Sequence, residues 1–172
     1  IPALVPLVTV EKWVKDLEGL ALKNVRADLY ASGKLKASEF GEMLFTDYGV
    51  SGPIILTLGS LASELIAKGH ILSIKIDFKP ALSDEQLDLR VQRDFAKFSK
   101  KILRNALVEL LPKKMIPIII ESSGLSPEKP CNQITRKERQ QLVETLKGLE
   151  LHISDTRGFH EAIVTRGGVD VR

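Results

Sequence analysis

The chain of 172 residues is long enough for one ordinary domain or two small ones, and 44% hydrophobic with 27% charged residues is a globular composition rather than a disordered one. No apolar run approaches the ~18 residues that a membrane-spanning helix needs, so we expect no membrane as a partner. The net charge is +3, but acidic and basic residues are interspersed, so nucleic acid is not expected as a partner either.

The first part of the chain has the pattern of short β-strands. Apolar residues predict strands over residues 3–9, 20–31 and 34–46. A short helix or turn is predicted between the first two of them, over residues 11–17. The alternation of apolar residues slips phase near Asn24, which is what a β-bulge produces. Ser32 and Gly33 supply a hairpin turn between the second and third strands. Short strands with tight turns predict a small barrel or sandwich.

The pattern changes from strand to helix after residue 46. Ser51, Gly52 and Pro53 have the form of a helix start, and we expect Ser51 to cap that helix. Residues 54–66 are apolar nearly all round, which predicts a buried helix. Residues 70–78 then alternate with a period of two, which predicts a half-buried strand.

The middle of the chain has a helical pattern with two capping boxes. Ser83 with Gln86 begins one predicted helix, and Thr135 with Glu138 begins another. Further helices are predicted over residues 102–111 and 113–124, the second of them restarted at Pro117, and β structure resumes over 149–156 and 159–166.

The order of β, helical and β segments predicts an α+β fold. We expect a small antiparallel β-barrel formed by both ends of the chain, residues 1–79 and 149–172, with a helical subdomain inserted over residues 80–148. Free ends of whole domains are usually polar, whereas both ends of this chain are apolar. We therefore expect the chain to be part of a larger protein.

The residue patterns predict no self-sufficient active site. Neither a G-x-G-x-x-G nor a G-x-x-x-x-G-K-[ST] phosphate loop occurs. Ser51 lacks the spacing of a nucleophile elbow, and Cys131 has no histidine near it in sequence. One cysteine and three scattered histidines provide no zinc-ligand spacing, and His160 is an isolated candidate for a general base. A single cysteine is typical of a reducing compartment, so we expect a cytoplasmic protein.

Two long stretches of sequence match the pattern of a known family. They are GEMLFTDYGVSGPIILTLGS over residues 41–60, here called block 1, and FHEAIVTRGGVDVR over residues 159–172, here called block 2. With GLALKNV over residues 19–25, they resemble the BaiN/RdsA-like (YhiN-type) NAD(P)/FAD-dependent flavoproteins of bacteria. In that family a GE-x-LFT-x-(Y/W)G-x-SGP-x-IL block precedes an A-x-VT-x-GGV block.

The resemblance implies a specific architecture and role. The family's G-x-G-x-x-G unit, which binds FAD, is absent from these residues. The chain therefore resembles the insert domain of such a flavoprotein, a small β-barrel that carries a helical subdomain, and the missing FAD-binding domain is its expected partner. This insert would cap the flavin of an oxidoreductase, shape a pocket for a small-molecule substrate and exclude water, without activity of its own.

The resemblance also implies which residues face the cofactor. Thr165, Arg166, Gly167 and Gly168 are expected to face the flavin or the substrate in the full-length protein, because a flat ring approaches backbone closely only where no Cβ intervenes. Thr165 would donate a hydrogen bond, and Arg166 would hold an anionic group. Residues 45–49 line the same junction or serve only the core and a turn. FAD is expected in the full-length protein and none on this chain alone.

Two other functions remain open from the sequence. The chain could be a stand-alone module that binds protein or RNA through the basic stretch 97–104, which would show as a salt-sensitive affinity for RNA. A hydrolase built on Ser51 or Cys131 is the remaining alternative.

Overall fold

The computed structural model describes residues 2–158 and 164–165, and the chain divides into two compact units. One unit comprises residues 1–76 and 150–172, and the other comprises residues 77–149. Within the described residues, no helix combines the length and the apolar character that crossing a membrane would require.

A closed six-stranded barrel forms the core of the first unit, as the sequence predicted. Its strands neighbour one another in the order β2-β5-β4-β3-β6-β7 and close on themselves, so the sheet has no free edge. The strands are β2 (Leu7–Thr9), β3 (Ala21–Ala31), β4 (Lys34–Phe45), β5 (Gly49–Ser51), β6 (Leu72–Asp77) and β7 (Leu149–Thr156). Alternate side chains fill the interior, and Leu29, Phe45 and Ile74 are completely buried.

The long hairpin of β3 and β4 follows the sequence prediction closely. Its register shifts between Leu22 and Val25, and Asn24 takes a φ of 56°, so the predicted bulge is confirmed. At the other end Ala31 pairs with Lys34, and the predicted turn residues Ser32 and Gly33 both have positive φ, 48° and 81°. Two consecutive residues with left-handed φ match the right-handed twist of a hairpin, so the two turn residues set the register of the strands.

The predicted strand over residues 3–9 is two strands rather than one. β1 (Pro2–Ala3) ends before Leu4, whose φ of 51° turns the chain, and β2 begins at Leu7. β1 pairs antiparallel with β8 (Val164–Thr165) in a separate two-stranded sheet. A 3₁₀ helix over Lys12–Leu17 follows β2, where the sequence predicted a short helix.

Helix α1 (Pro53–Ala67) begins at the predicted proline, but its start differs from the prediction in two ways. Residues 49–51 form the short strand β5, so Ser51 pairs with Leu44 and does not cap the helix. The N-cap is Gly52, with φ 88° and ψ 172° and no side-chain cap. A three-residue strand is too short to leave a periodic pattern, which is why the sequence did not reveal it.

The second unit is helical. Its helices are α2 (Asp84–Lys97), α3 (Leu103–Ala106), α4 (Ile116–Ser122) and α5 (Arg136–Lys147), with 3₁₀ turns at Lys113–Met115 and Cys131–Gln133. Both capping boxes are present, with reciprocal hydrogen bonds at Ser83 and at Thr135. α2 and α5 pack together through their apolar sides, including Leu87, Val91 and Leu142, which are fully buried.

The predicted helix over residues 102–111 is wrong in length. α3 covers only Leu103–Ala106, and turns occupy residues 107–110. The first amide groups of α3 donate to the carbonyls of a neighbouring segment, Leu103 to Lys129 and Arg104 to Pro127. The beginning of this segment is hydrogen-bonded to residues 127–130. Its apolar residues therefore form a short helix followed by turns, and not one continuous helix.

Candidate functional site

Of the predicted site residues, the structure describes Thr165, which lies in the first unit. It is the last residue of β8 and pairs with Pro2, while Val164 pairs with Ala3. The other predicted site residues, Arg166, Gly167 and Gly168, lie outside the described residues, as does His160. The structure therefore locates the strand that leads to the predicted flavin-facing segment, through its pairing with β1.

The segment after β1 is held by backbone contacts to block 1 and to the end of β7. Three consecutive carbonyl groups are involved, those of Val5, Pro6 and Leu7. A Cβ on Gly59 would lie 2.1 Å from the Val5 oxygen, and a Cβ on Gly49 would lie 2.1 Å from the Leu7 oxygen. The Pro6 oxygen between them accepts a hydrogen bond of 3.0 Å from the Arg157 amide. The segment thus lies so close to the backbone at Gly49 and Gly59 that only glycine fits at both positions.

The turn in block 1 lies beside this segment. Thr46 and Gly49 close the turn, because the Gly49 amide donates to Thr46 Oγ1 and the Thr46 amide donates to the Gly49 carbonyl, at 3.0 and 2.9 Å. Between them Tyr48 places its ring under the Arg157 guanidinium, with 4.0 Å from the Cζ atom to the ring centroid. This stacked pair was missed in the sequence, where Arg157 indicated only a turn, because the two residues are 109 positions apart.

The glycines of block 1 leave no room for a phosphate group. Dinucleotide sites use glycine to let the ligand approach the backbone. The space beside Gly49 and Gly59 is filled by carbonyl oxygens of the chain itself, and a Cβ on Gly52 would meet the Leu44 nitrogen at 2.9 Å. Among the described residues, these close-approach glycines therefore serve packing and do not form a cradle for FAD.

A histidine–carboxylate cluster lies where β7 passes the start of the 3₁₀ helix. The Glu11 carboxylate accepts the His152 amide at 2.9 and 3.0 Å and contacts His152 Nδ1 at 2.6 Å. Glu150 lies 3.7 Å from His152 Nε2. The hydrogen bond to Glu11, together with the negative charges of both carboxylates, raises the pKa of His152 above its usual value.

This cluster predicts a pH-dependent contribution to stability. Because the folded-state pKa of His152 is raised, the contribution is present below the unfolded pKa of about 6.5 and is lost as pH rises through the folded pKa. Urea unfolding of the chain across this pH range should show that decline, and Glu11→Gln should flatten it. Glu150→Gln is the control and should keep most of the decline, since its carboxylate is the more distant one. An unchanged pH profile in Glu11→Gln would contradict the assignment.

The alternative catalytic residues lack catalytic surroundings. Cys131 is buried, and burial raises the pKa of its thiol, which disfavours the nucleophilic thiolate. Ser51 takes part in the β-ladder with Leu44. No group of three or more His, Cys, Asp or Glu side chains suited to a metal ion occurs in the part of the chain that the structure describes.

The basic stretch 97–104 is partly neutralised within the helical unit. Lys97 forms an ion pair of 3.0 Å with Glu109, and both side chains are about half exposed. The ammonium groups of Lys97 and Lys101 also lie about 5 Å from the centroid of the Phe98 ring. Exposed pairs of this kind are typical of an ordinary solvated surface.

Comparisons with known proteins cover nearly the whole chain. A family model described as "HI0933-like protein barrel and H2TH domain" matches residues 1–164. The chain is 28% identical over 173 residues to a 3-dehydro-bile acid delta(4,6)-reductase of Clostridium scindens, which aligns 98% of this chain with 41% of that protein. It is also 28% identical to ribosomal RNA dihydrouridine synthases of Haemophilus influenzae and Escherichia coli, over 172 and 167 residues.

The two synthases align with 99% and 97% of this chain but with only 39% of their own lengths. The chain therefore spans about two fifths of the length of the curated relatives it matches.

Proposed function

The chain belongs to the HI0933-like family, within which it corresponds to the barrel and H2TH domain, and we propose that it is the insert domain of an FAD-dependent oxidoreductase. The observation that carries this proposal is the coverage of its relatives. Almost the entire chain aligns, yet at least 59% of each relative lies outside the alignment. That remainder has room for a cofactor-binding domain, which the described residues do not contain.

The names of the relatives support one class of reaction. A 3-dehydro-bile acid delta(4,6)-reductase reduces a carbon–carbon double bond in a steroid ketone, and a dihydrouridine synthase reduces the ring double bond of uridine. In both substrates the double bond is conjugated with a carbonyl group. We propose the same class for the protein that contains this chain, namely reduction of a double bond conjugated with a carbonyl in a small-molecule substrate.

Such a reaction needs hydrogen-bond donors where negative charge develops. Hydride addition to the conjugated bond moves charge onto the carbonyl oxygen, and fixed donors in a water-poor site stabilise it. FAD supplies the hydride chemistry when bound, and in our proposal it is held by the remainder of the polypeptide. Thr165 and Arg166 would offer donors to that oxygen, while Gly167 and Gly168 would allow the backbone close to the flat ring.

The rest of this chain would hold that segment in place and limit access of water. The β1–β8 sheet positions Thr165, and the Tyr48–Arg157 stack lies beside the strand that follows β1. We propose that residues 46–49 and Arg157 belong to the wall of the substrate pocket, whereas Phe45 serves the barrel core. A closed barrel core below them keeps this wall rigid, because its interior side chains are fully buried.

A flavin-retention experiment tests the proposal. The purified chain is incubated with FAD, passed through gel filtration and examined by visible absorbance, alongside the full-length polypeptide that contains it. We expect a colourless chain and a full-length protein that keeps flavin. With NADH or NADPH, the full-length protein should reduce a small conjugated ketone such as a steroid, and reduction of a uridine-containing RNA instead would contradict the proposed small-molecule substrate. Stoichiometric flavin on the chain alone, or none on the full-length protein, would refute the proposal.

A further inference from the structure

Gly59 occupies a position where glycine is otherwise unfavourable. It lies in the interior of helix α1, where glycine costs about 1 kcal/mol relative to alanine. Its backbone is helical and has no need of a positive φ. The feature that requires glycine is the approach of the Val5 carbonyl, which would lie 2.1 Å from a Cβ at this position. This close contact between helix α1 and the segment that joins β1 to β2 fixes the position of that segment.

The position of Val5 is transmitted to β8 over a short path. Val5 follows Ala3 by two residues, and Ala3 pairs with Val164 while Pro2 pairs with Thr165. Helix α1 also packs along β1. A shift of Val5 away from the helix therefore moves β1 and, through the ladder, β8. Among the described residues, β1 is the one strand that pairs with β8.

Backbone strain at Leu4 supports a positional requirement. Leu4 takes a φ of 51°, in the left-handed region, which is unfavourable for a leucine by roughly 1–2 kcal/mol. Such strain persists only where surrounding contacts hold it. Here the contacts are the adjacent carbonyls of Val5, Pro6 and Leu7, which meet Gly59, the Arg157 amide and Gly49.

We propose that Gly59 is a positioning residue for the substrate site: it seats the β1–β8 sheet on helix α1 and so sets where Thr165 meets the flavin. The inference rests on the proposed function for the role of Thr165. The contact of Gly59 with the Val5 carbonyl, here called the seat, is a property of this chain itself. It explains why block 1 and block 2, about one hundred residues apart, belong to one pattern. Block 1 supplies the seat, and block 2 supplies the strand that is seated through β1.

The seat is tested first in this chain by amide hydrogen exchange. In Gly59→Ala the added methyl group pushes the Val5 carbonyl away, so exchange in the peptide that contains residues 164–165 should accelerate by about tenfold or more relative to the barrel. Leu4→Val should act in the same direction without a clash at Gly59, because a β-branched residue tolerates the positive φ of this turn less well than leucine does. This second variant keeps the test decisive should Gly59→Ala fold poorly.

Leu29→Ala is the matched control. Leu29 is fully buried near the hairpin end of β3, so the variant is destabilised by a cavity but leaves the seat intact. We expect its exchange at residues 164–165 to follow only the global loss of stability. If Gly59→Ala and Leu4→Val behave like Leu29→Ala, the seat does not exist and the proposal is overturned.

The link to the flavin is tested separately in the full-length protein. With FAD bound, Gly59→Ala should shift the flavin absorbance spectrum and its reduction potential, while Leu29→Ala should leave both unchanged. Altered exchange together with an altered flavin supports the proposal. Altered exchange with an unaltered flavin overturns the link between the seat and the cofactor, and with it the flavin-facing role proposed for Thr165.

Discussion

Replacement of Lys147 by alanine is expected to lower the free energy of unfolding by about 3–5 kcal/mol, because it leaves a buried carboxylate without its counter-charge. Asp77 is only 1% exposed, and its Oδ2 atom lies 2.9 Å from Lys147 Nζ. The same ammonium group donates to the carbonyls of Lys79 and Leu82. One side chain therefore joins the beginning of the helical unit to the end of α5.

Urea denaturation monitored by circular dichroism measures this loss. The matched control is Lys97→Ala, which removes a lysine from an exposed pair with Glu109 and should cost about 1 kcal/mol or less. A double variant, Asp77→Leu with Lys147→Met, should recover much of the stability that Lys147→Ala loses, since no charge is then left buried. Equal losses in Lys147→Ala and Lys97→Ala would show that the buried pair contributes nothing special.

Substitution of Gly52 by alanine is expected to destabilise the first unit by about 3 kcal/mol or more. Its φ of 88° with ψ of 172° belongs to a region that only glycine occupies readily. A Cβ there would also lie 2.9 Å from the Leu44 nitrogen and from Met43 Cα, both of which are backbone atoms within β4. Neither partner can rotate away, so strain and overlap add together.

Gly33→Ala separates these two causes. Gly33 has a φ of 81°, but nothing lies within 4 Å of a Cβ built on it. Only the left-handed strain applies, so we expect a loss of roughly 1–2 kcal/mol. Thermal unfolding of the two variants beside the unmodified chain gives the comparison. Losses of the same size would mean that backbone crowding around Gly52 is unimportant.

The two blocks on which the family resemblance depends have different physical roles. The resemblance to BaiN/RdsA-like flavoproteins is confirmed by the family match. Block 1 is explained by packing, because Gly49, Gly52 and Gly59 each face backbone atoms of the chain itself. Block 2 remains the better candidate for contact with a cofactor, and the roles of Thr165, Arg166, Gly167 and Gly168 stay predictions.

The sequence by itself determined those features that depend on neighbours along the chain. The bulge at Asn24, the hairpin turn at Ser32 and the capping boxes at Ser83 and Thr135 are confirmed. Each is defined by hydrogen bonds or φ preferences within a few residues, so residue type and spacing suffice. The α+β class with a barrel and helices is also confirmed, because it follows from the order of these local patterns. The domain boundaries drawn at residues 80 and 148 stay a prediction.

Only the tertiary structure decided the features that join residues far apart. No periodic signal revealed strand β5 in the middle of block 1, the pairing of β1 with β8, the stack of Arg157 on Tyr48 or the ion pair of Asp77 with Lys147. The same holds for Gly59, whose need for glycine comes from a carbonyl 54 positions earlier. Such contacts depend on where the closed barrel places its strands. Local propensity carries no information about which residues that are far apart in sequence become close in space.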